Sequence, residues 1–417
     1  MKIKLLITIS VFTFSAYAQE VNYDEAKVPA FDVPDPLTCN DGTKVSTVKE
    51  WENRRRPEIM AFFASQFYGQ TPAEKIPVSY TVLSENPNFM EGKATARQVK
   101  FVFTNNGKSL EAILLLLLPN NNKAKIPVFV SYNYKGNHSI CLDTTILYTP
   151  SFSRLKTADD PDWKRGNQAT RWSIEKIIAR GYGVATMFYQ DIYPDAPNKE
   201  DESIVSLFTS YKPDNKASDK WQALGAWAWG SSRIVDYLET VKRVDKEKII
   251  IMGHSRQGKS ALWAGAQDKR FKIVISNDSG CGGAALSKRV FGEHLARITS
   301  SFPHWFCPAL NFYANNEAAL PFDQHELIAL IAPRFAYIAS AEDDRWADPK
   351  GEFLAGVYAS PVYNLYGLKG LTINDNPKVN QPVMNAVGYH IRTGVHDVTD
   401  YDWGCYLDFA DKLLNNK

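Results

Sequence analysis

The feature that most restricts the fold of this chain is an apolar, strand-like run that leads through Gly-x-Ser into a helical pattern. Ile249–Met252 precedes Gly253 and Ser255, and residues with helical spacing follow from Arg256 onward. A sharp strand-to-helix turn strains the serine backbone, and glycines beside it let neighbouring chain pass closely. Such a nucleophile elbow exposes the hydroxyl at a helix N-terminus. We therefore predict that Ser255 is a nucleophile, although Gly258 falls one residue later than in the usual Gly-x-Ser-x-Gly.

The surrounding chain alternates between apolar strand-like runs and helical segments. This alternation is typical of a mostly parallel central sheet with helices on both faces. Together with the nucleophile elbow, it predicts the α/β class and an α/β-hydrolase fold. The parallel strands are predicted at Ile126–Tyr132, Gly183–Phe188, Ile249–Met252, Ile273–Ser276 and Phe335–Ala339.

The N-terminal part of the chain has a different pattern. A lead that contains proline and aspartate, Val28–Asn40, precedes a predicted helix over Val45–Tyr68, and the two are expected to form an N-terminal cover. Three β-like runs follow, and the Asn-Asn-Gly between the last two is a strong hairpin signal, so we predict an antiparallel edge. These runs are Val78–Leu83, Arg97–Thr104 and Ser109–Leu118.

The first eighteen residues have the pattern of a secretory signal. A basic start at Met1–Lys4 is followed by the apolar run Leu5–Ala16 and a small-x-small site that predicts cleavage after Ala18. We therefore expect a secreted or periplasmic protein. No later run resembles a transmembrane span, since the leucine-rich Ala112–Pro119 has only the length of a strand.

Composition excludes several classes of protein. The 417 residues carry 48 basic and 46 acidic side chains and no biased tract, so no field of the whole molecule favours nucleic acid or an anionic membrane. No repeat or low-complexity linker divides the chain, and we predict that residues 19–417 form one catalytic domain, expected to be a monomer.

Five cysteines are few for an exported chain of this length, and none has the spacing of a metal or redox motif. A Cys281–Cys307 disulfide would be compatible with an oxidising compartment, but the odd number leaves at least one thiol without an internal partner. The pairing stays open at this stage. The five are Cys39, Cys141, Cys281, Cys307 and Cys405.

A serine nucleophile needs a histidine base and a carboxylate that orients the histidine. In an α/β-hydrolase the order is nucleophile, acid, histidine, and His396 lies in a polar loop between the apolar run Val383–Ile391 and the last helical segment. We predict that His396 is the base. His254, next to Ser255, is expected to be structural because its side chain would point the opposite way, and His304 is expected to pack against aromatic residues.

Two aspartates compete for the role of acid. Asp344 follows the predicted strand Phe335–Ala339, where the acid of an α/β-hydrolase normally lies, and Asp278 follows the preceding strand. Either carboxylate could reach the base, so position in the sequence does not choose between them.

Several linked motifs in one order resemble the bacterial glucuronoyl esterases, over roughly residues 40 to 415. The match is more specific than the nucleophile elbow alone. The motifs are Gly253–Lys259, Ala261–Gly265, Ser276–Ser287, Phe302–Cys307, Trp346–Gly351 and His396–Trp403.

The resemblance implies hydrolysis of the ester between a glucuronic acid side group of xylan, often 4-O-methylated, and an alcohol of lignin. It implies neither a metal nor an organic cofactor. Arg256 would place its backbone N–H and guanidinium near the oxyanion. Lys259 and Glu293 would bind sugar hydroxyls, and Trp346 would line the sugar pocket.

The resemblance also bears on the acid. Related enzymes usually have glutamate at the position of Asp278, and some have a second acid at the position of Asp344. Because Asp278 is one methylene shorter, we favour Asp344 as the acid, with Asp278 as its partner or substitute. Two cations, Arg256 and Lys259, on the first turn of a helix oppose the helix dipole, a cost that indicates a functional role. A tetrahedral intermediate requires such donors.

Two other functions fit the same motifs. An acetyl-xylan esterase would keep the serine, histidine and acid but would not need the basic pair. A non-catalytic carbohydrate-binding protein would keep the fold, and the short Asp278 favours it, whereas intact Ser255 and His396 do not. A peptidase is disfavoured because nothing marks a pocket for a peptide end.

Overall fold

The computed structural model describes residues 21–121, 124–151, 163–212, 216–375 and 377–414. The predicted signal, residues 1–18, lies outside the described residues. Within those ranges, no helix combines the length and the apolar character needed to cross a bilayer.

A ten-stranded sheet forms the centre of the protein, in the order β1-β2-β3-β5-β4-β6-β7-β8-β10-β9. Every strand expected from the sequence is present, and most are longer than predicted. The strands are β1 (Val78–Phe89), β2 (Ala94–Asn105), β3 (Lys108–Pro119), β4 (Ile126–Asn133), β5 (Gly183–Phe188), β6 (Val244–His254), β7 (Phe271–Asn277), β8 (Phe335–Ala341), β9 (Val383–Met384) and β10 (Val387–Arg392).

The sheet is parallel at its centre and antiparallel at its N-terminal edge, as predicted, and the short β9 adds an antiparallel pair with β10 at the other edge. Strands β5, β4, β6, β7, β8 and β10 run parallel, whereas β1, β2 and β3 pair antiparallel with one another and β3 pairs antiparallel with β5. The β2–β3 hairpin turns at Asn106 and Gly107, both with positive φ, which is the conformation that an Asn-Gly turn favours.

Helices cover both faces of the sheet, which confirms the predicted α/β-hydrolase architecture. The predicted helix over Val45–Tyr68 is present as residues 48–67, where α-helical and π-helical turns alternate. It begins with a capping box between Thr47 and Glu50. The α-helices are α1 (Val48–Glu50), α2 (Arg56–Phe62), α3 (Ile174–Ala179), α4 (Ala223–Leu238), α5 (Arg256–Gln267), α6 (Leu295–Ser301), α7 (Gln324–Ala329), α8 (Pro349–Leu365) and α9 (Asp400–Leu414).

The two faces of the sheet carry separate cores. On one face, α4, α5 and the N-terminal helical segment bury large aromatic residues such as Trp227 and Trp263. On the other, α3 and α9 pack residues such as Ile177 and Trp403 against the strands. Because both faces are covered, the central strands are apolar throughout rather than alternating.

The five cysteines have free thiols in the structure, so the Cys281–Cys307 bridge that the sequence allowed is not formed. Burial raises the pKa of the Cys281 thiol well above its ordinary value and that of Cys307 to about 11. Both thiols are therefore protonated near neutral pH.

Candidate active site

The turn after β6 has the strained geometry that the sequence predicts. Ser255 has φ 54° and ψ −128°, a backbone conformation that residues other than glycine rarely adopt. Its N–H donates to the Asn277 carbonyl at 2.8 Å, which fixes the turn to the end of β7. Helix α5 begins at the next residue, Arg256, whose N–H has no carbonyl partner within the helix.

Glycine is required on both sides of this turn. A Cβ on Gly253 would lie 2.0 Å from the Gln257 carbonyl oxygen, and one on Gly258 would lie 2.8 Å from the Ser279 Cβ. The late second glycine therefore serves the same purpose as in the usual pattern, because it lets α5 approach the end of the neighbouring strand.

His396 and Asp344 form the pair that a serine nucleophile needs. The Nδ1–H of His396 donates to Asp344 Oδ2 at 2.6 Å, and the side chain of Asp344 is almost fully buried. This bond leaves Nε2 of His396 to accept a proton. Ser255 lines the same pocket. Within the described chain no hydrogen bond joins Ser255 Oγ to His396, and such bonds often tighten only with substrate present.

Asp278 lies beside this pair but in different surroundings. One of its carboxylate oxygens lies within 4.8 Å of a carboxylate oxygen of Asp344 and of a ring nitrogen of His396. One oxygen has only long contacts, 3.3 Å to the Asp397 N–H and 3.4 Å to Arg392 Nη2, and the other has no partner among the described residues. Burial and neighbouring carboxylates raise the pKa of Asp278 well above its ordinary value. Burial of Asp278 therefore favours its protonated form, which makes it a weaker partner for an imidazolium than a carboxylate that is held by short hydrogen bonds.

Arg392 fixes the loop that carries His396. Its guanidinium donates to the carbonyls of Thr393 at 3.0 Å, Val395 at 3.0 Å and Asp397 at 2.6 Å. Its Nε donates to the buried Asp402 at 2.8 Å. One buried side chain thus satisfies three carbonyls of a loop that has no regular secondary structure.

A pocket of about 350 Å³ joins these groups. All the residues to which the sequence and the resemblance gave a catalytic or binding role line it. The lining residues are Ser255, Arg256, Lys259, Asp278, Ser279, Gly280, Glu293, Phe302, Trp305, Asp344, Trp346, Ala347 and His396.

The two cations of the pocket are held by different partners. Arg256 Nη1 donates to the buried Asp195, and the Trp305 ring lies 4.8 Å from the guanidinium carbon. Lys259 Nζ donates to two backbone carbonyls, each at 2.6 Å, and lies 3.5 Å from Glu293. A ligand hydroxyl placed between the two side chains could accept from Lys259 and donate to Glu293.

A backbone hydrogen bond joins the two loops that carry Glu293 and Trp346, which both line the pocket. The Glu293 N–H donates to the Trp346 carbonyl at 2.9 Å. Gly292, with φ 62°, makes this approach possible, since a Cβ there would lie 2.5 Å from the same oxygen. Trp346 belongs to a short 3₁₀ turn over Arg345–Ala347 that follows β8. The backbone contact therefore fixes Glu293 and Trp346 relative to each other.

The other two histidines near the site have distinct positions. His254 is buried, its Nδ1 is 2.6 Å from Asn277 Oδ1, and burial lowers its pKa well below the ordinary value, in agreement with a structural role. His304 does more than pack against aromatic rings, because its Nε2 donates to Asp195 at 2.8 Å. The sequence did not indicate this hydrogen bond, because Asp195 is distant from His304 along the chain.

The side chains of Asp278, Asp344 and His396 could together ligate a cation. Binding would break the 2.6 Å hydrogen bond between His396 and Asp344. The raised pKa of Asp278 also makes it a poor ligand, since a carboxyl must lose its proton to bind a metal well. The geometry fits an acid–base pair better than a metal centre.

Sequence reasoning missed Asp195, Arg392 and Glu352. Glu352 accepts from Ser340 Oγ at 2.6 Å and from the N–H groups of Ser279 and Gly280 at 2.9 and 3.0 Å. The sequence holds a signal for two of the three. Arg392 ends an apolar strand, and Asp195 lies in the polar segment after β5, at the same sheet edge as the other site residues.

Comparison with known proteins agrees with this geometry. The family model described as glucuronyl esterase of fungi matches residues 169–367. A carbohydrate esterase, MZ0003, from an unknown prokaryotic organism is 44% identical, with 98% of this chain and 96% of that protein covered. The 4-O-methyl-glucuronoyl methylesterase of Schizophyllum commune is 27% identical, with 87% and 81% covered.

Solved structures give the same result. The glucuronoyl esterase from Solibacter usitatus superposes with a TM-score of 0.85 at 42% identity, over 93% of this chain and 99% of that one. Both matches extend over more than nine-tenths of this chain and of the similar protein. The chain therefore belongs to the glucuronoyl esterase family, a family of carboxylic ester hydrolases.

Proposed function

We propose that this protein hydrolyses the ester between glucuronic acid, with or without a 4-O-methyl group, and an alcohol of lignin, using Ser255 as the nucleophile. The observation that carries the proposal is that Ser255 and the His396–Asp344 pair open into one pocket with Arg256 and Lys259. An uncharged ester substrate that becomes an oxyanion is matched by that combination of groups.

In the first step, Ser255 Oγ attacks the ester carbonyl carbon while His396 Nε2 takes its proton. Asp344 keeps His396 in the tautomer with a proton on Nδ1 and stabilises the imidazolium that forms. The alcohol leaves with the proton from His396. Water then attacks the acyl-enzyme with His396 again as the base, which releases the sugar acid and restores Ser255.

Donors near Ser255 would stabilise the charge that develops on the carbonyl oxygen. Arg256 offers its backbone N–H at the start of α5 and its guanidinium above the Trp305 ring. Lys259 and Glu293 would bind a sugar hydroxyl between them, and Trp346 would contact the ring face.

The proposal is tested by alcohol release from benzyl glucuronate, run beside 4-nitrophenyl acetate. Ser255→Ala should reduce kcat by on the order of 10⁶, the loss expected when the serine of such a triad is removed. Ser300→Ala is the matched control, because Ser300 is exposed and bonds only within its own helix end.

Full activity in Ser255→Ala would disprove the mechanism. Cleavage of acetate alone by the unaltered protein would keep the mechanism but assign a different specificity, such as that of an acetyl-xylan esterase. If neither ester is hydrolysed, a carbohydrate-binding protein without activity would be favoured.

The location and assembly of the protein are part of the same proposal. A signal over residues 1–18 and a polymeric plant cell-wall substrate both require export, so we infer a secreted or periplasmic enzyme. A single catalytic domain acting as a monomer fits the continuous sheet and is tested by light scattering of the mature chain.

A further inference from the structure

Asp195 lies behind the pocket and does not line it. It follows β5, its side chain is 6% exposed, and its carboxylate receives four hydrogen bonds. One oxygen accepts from His304 Nε2 and from Trp305 Nε1, each at 2.8 Å. The other accepts from Tyr189 Oη at 2.8 Å and from Arg256 Nη1. A carboxylate has about four such acceptor positions, so this one is saturated.

These bonds fix the guanidinium of Arg256 from two sides. Asp195 receives one edge of it, and the Trp305 ring, itself hydrogen-bonded to Asp195, lies under one face. Burial opposes ionisation of Asp195, but the hydrogen bond from His304 and the charge of Arg256 outweigh it, so that its pKa falls well below the ordinary value. Asp195 is therefore an anion near neutral pH.

Each cation that lines the pocket in the described part of the chain has its own carboxylate. Arg256 is paired with Asp195, and Lys259 lies 3.5 Å from Glu293. The pocket therefore presents directed N–H donors without excess positive charge. This matters because the two ligands it meets differ in charge: the ester is neutral, whereas the released sugar acid is an anion above about pH 4.

We propose that Asp195 is a specificity-determining residue, which neutralises Arg256 so that the pocket binds the neutral ester without retaining the anionic acid. An unpaired Arg256 would attract the product carboxylate more strongly than the ester carbonyl, and tight product binding would slow turnover. With Asp195 in place, the ion pair and the Trp305 ring hold Arg256 in one orientation, and the pair has no net charge. This inference rests on the proposed function.

The test compares glucuronate with its neutral amide as competitive inhibitors of benzyl glucuronate hydrolysis. In Asp195→Asn, a substitution of nearly the same shape, we expect the inhibition constant of glucuronate to fall at least tenfold. The inhibition constant of the amide and KM of the ester should change less than threefold, and Asp195→Glu should restore weak glucuronate binding. Thermal unfolding of each variant monitors the fold.

Asp268→Asn is the matched control, because Asp268 is also a poorly exposed carboxylate paired with an arginine, Arg270, but does not line or back the pocket. It should leave both inhibition constants unchanged. Equal changes for glucuronate and amide in Asp195→Asn, or no tighter binding of glucuronate, would overturn the inference while the proposed function stands. If the unaltered protein does not cleave the uronate ester, the proposed function fails and the inference falls with it.

Discussion

Two neighbouring loops, one after β7 and one after β8, each place an aspartate near His396, yet the two aspartates differ in almost every physical respect. Asp344 makes a 2.6 Å hydrogen bond to the histidine, whereas Asp278 has only contacts of 3.3 Å and longer. Burial raises the pKa of Asp278 well above the ordinary value. The same residue type at adjacent strand ends thus makes a short hydrogen bond to the histidine in one loop and is buried without a short donor in the other.

Hydrogen-bond partners and burial, rather than strand-end position, therefore decide which carboxylate can work with the histidine. A carboxylate that is buried without short donors holds its proton, and a neutral carboxyl does little to stabilise an imidazolium. Burial is the main cause of the raised pKa of Asp278, and the neighbouring carboxyl groups of Glu352 and Asp344 raise it further. Of the four predictions that follow, three test this contrast, and the one on Arg392 tests the loop that carries His396.

The largest effect is expected for Asp344→Asn. The amide cannot stabilise the imidazolium and favours the wrong tautomer of His396, so kcat on benzyl glucuronate should fall by on the order of 10⁴. Asp343→Asn is the control, since Asp343 is exposed and one residue away. A loss of less than tenfold in Asp344→Asn would remove the contrast between the two loops.

Arg392→Met should produce the largest loss of stability. The substitution leaves the buried Asp402 without its cation and frees three loop carbonyls, so the free energy of unfolding should fall by about 3–5 kcal/mol. Urea unfolding measures this. Arg180→Met, which breaks only exposed ion pairs, should cost no more than about 1 kcal/mol. Similar losses in the two variants would show that the loop does not depend on Arg392.

Asp278→Asn should reduce kcat less than about tenfold, or less than 1.4 kcal/mol. An asparagine has nearly the shape of the neutral carboxyl that the raised pKa implies. The measurement is the steady-state kcat on benzyl glucuronate, compared between Asp278→Asn and Asp344→Asn. A larger loss than that of Asp344→Asn would make Asp278 the acid.

The smallest expected effect is a change in how stability depends on pH. The unfolded chain releases the Asp278 proton near pH 4, whereas the folded protein keeps it to a higher pH. The folded state thus binds more protons in this interval, and its stability falls as pH rises. Between pH 4.5 and pH 7.5 the decline in Tm should be smaller in Asp278→Asn by about 1–2 °C. Identical declines would mean that Asp278 is ionised in the fold.

Much of the fold could be predicted because it follows from local patterns. Apolar runs bounded by turn residues gave the central strands, and Asn106-Gly107 gave the hairpin, since each depends on a few adjacent residues. The sequence predicts one apolar segment over Val383–Ile391, but the segment divides into β9 and β10. Only its second half, β10, pairs with β8.

For the site, the sequence determined which groups stand at the ends of the strands, namely Ser255, Asp278, Asp344 and His396. A parallel sheet brings those ends to one edge whatever the details of packing. The choice of the aspartate that bonds to His396, and the pairing of Asp195 with Arg256, became visible only in the folded protein. Those outcomes depend on hydrogen bonds between residues more than fifty positions apart and on burial, which sets the charge of each carboxyl and which no local pattern of residues encodes.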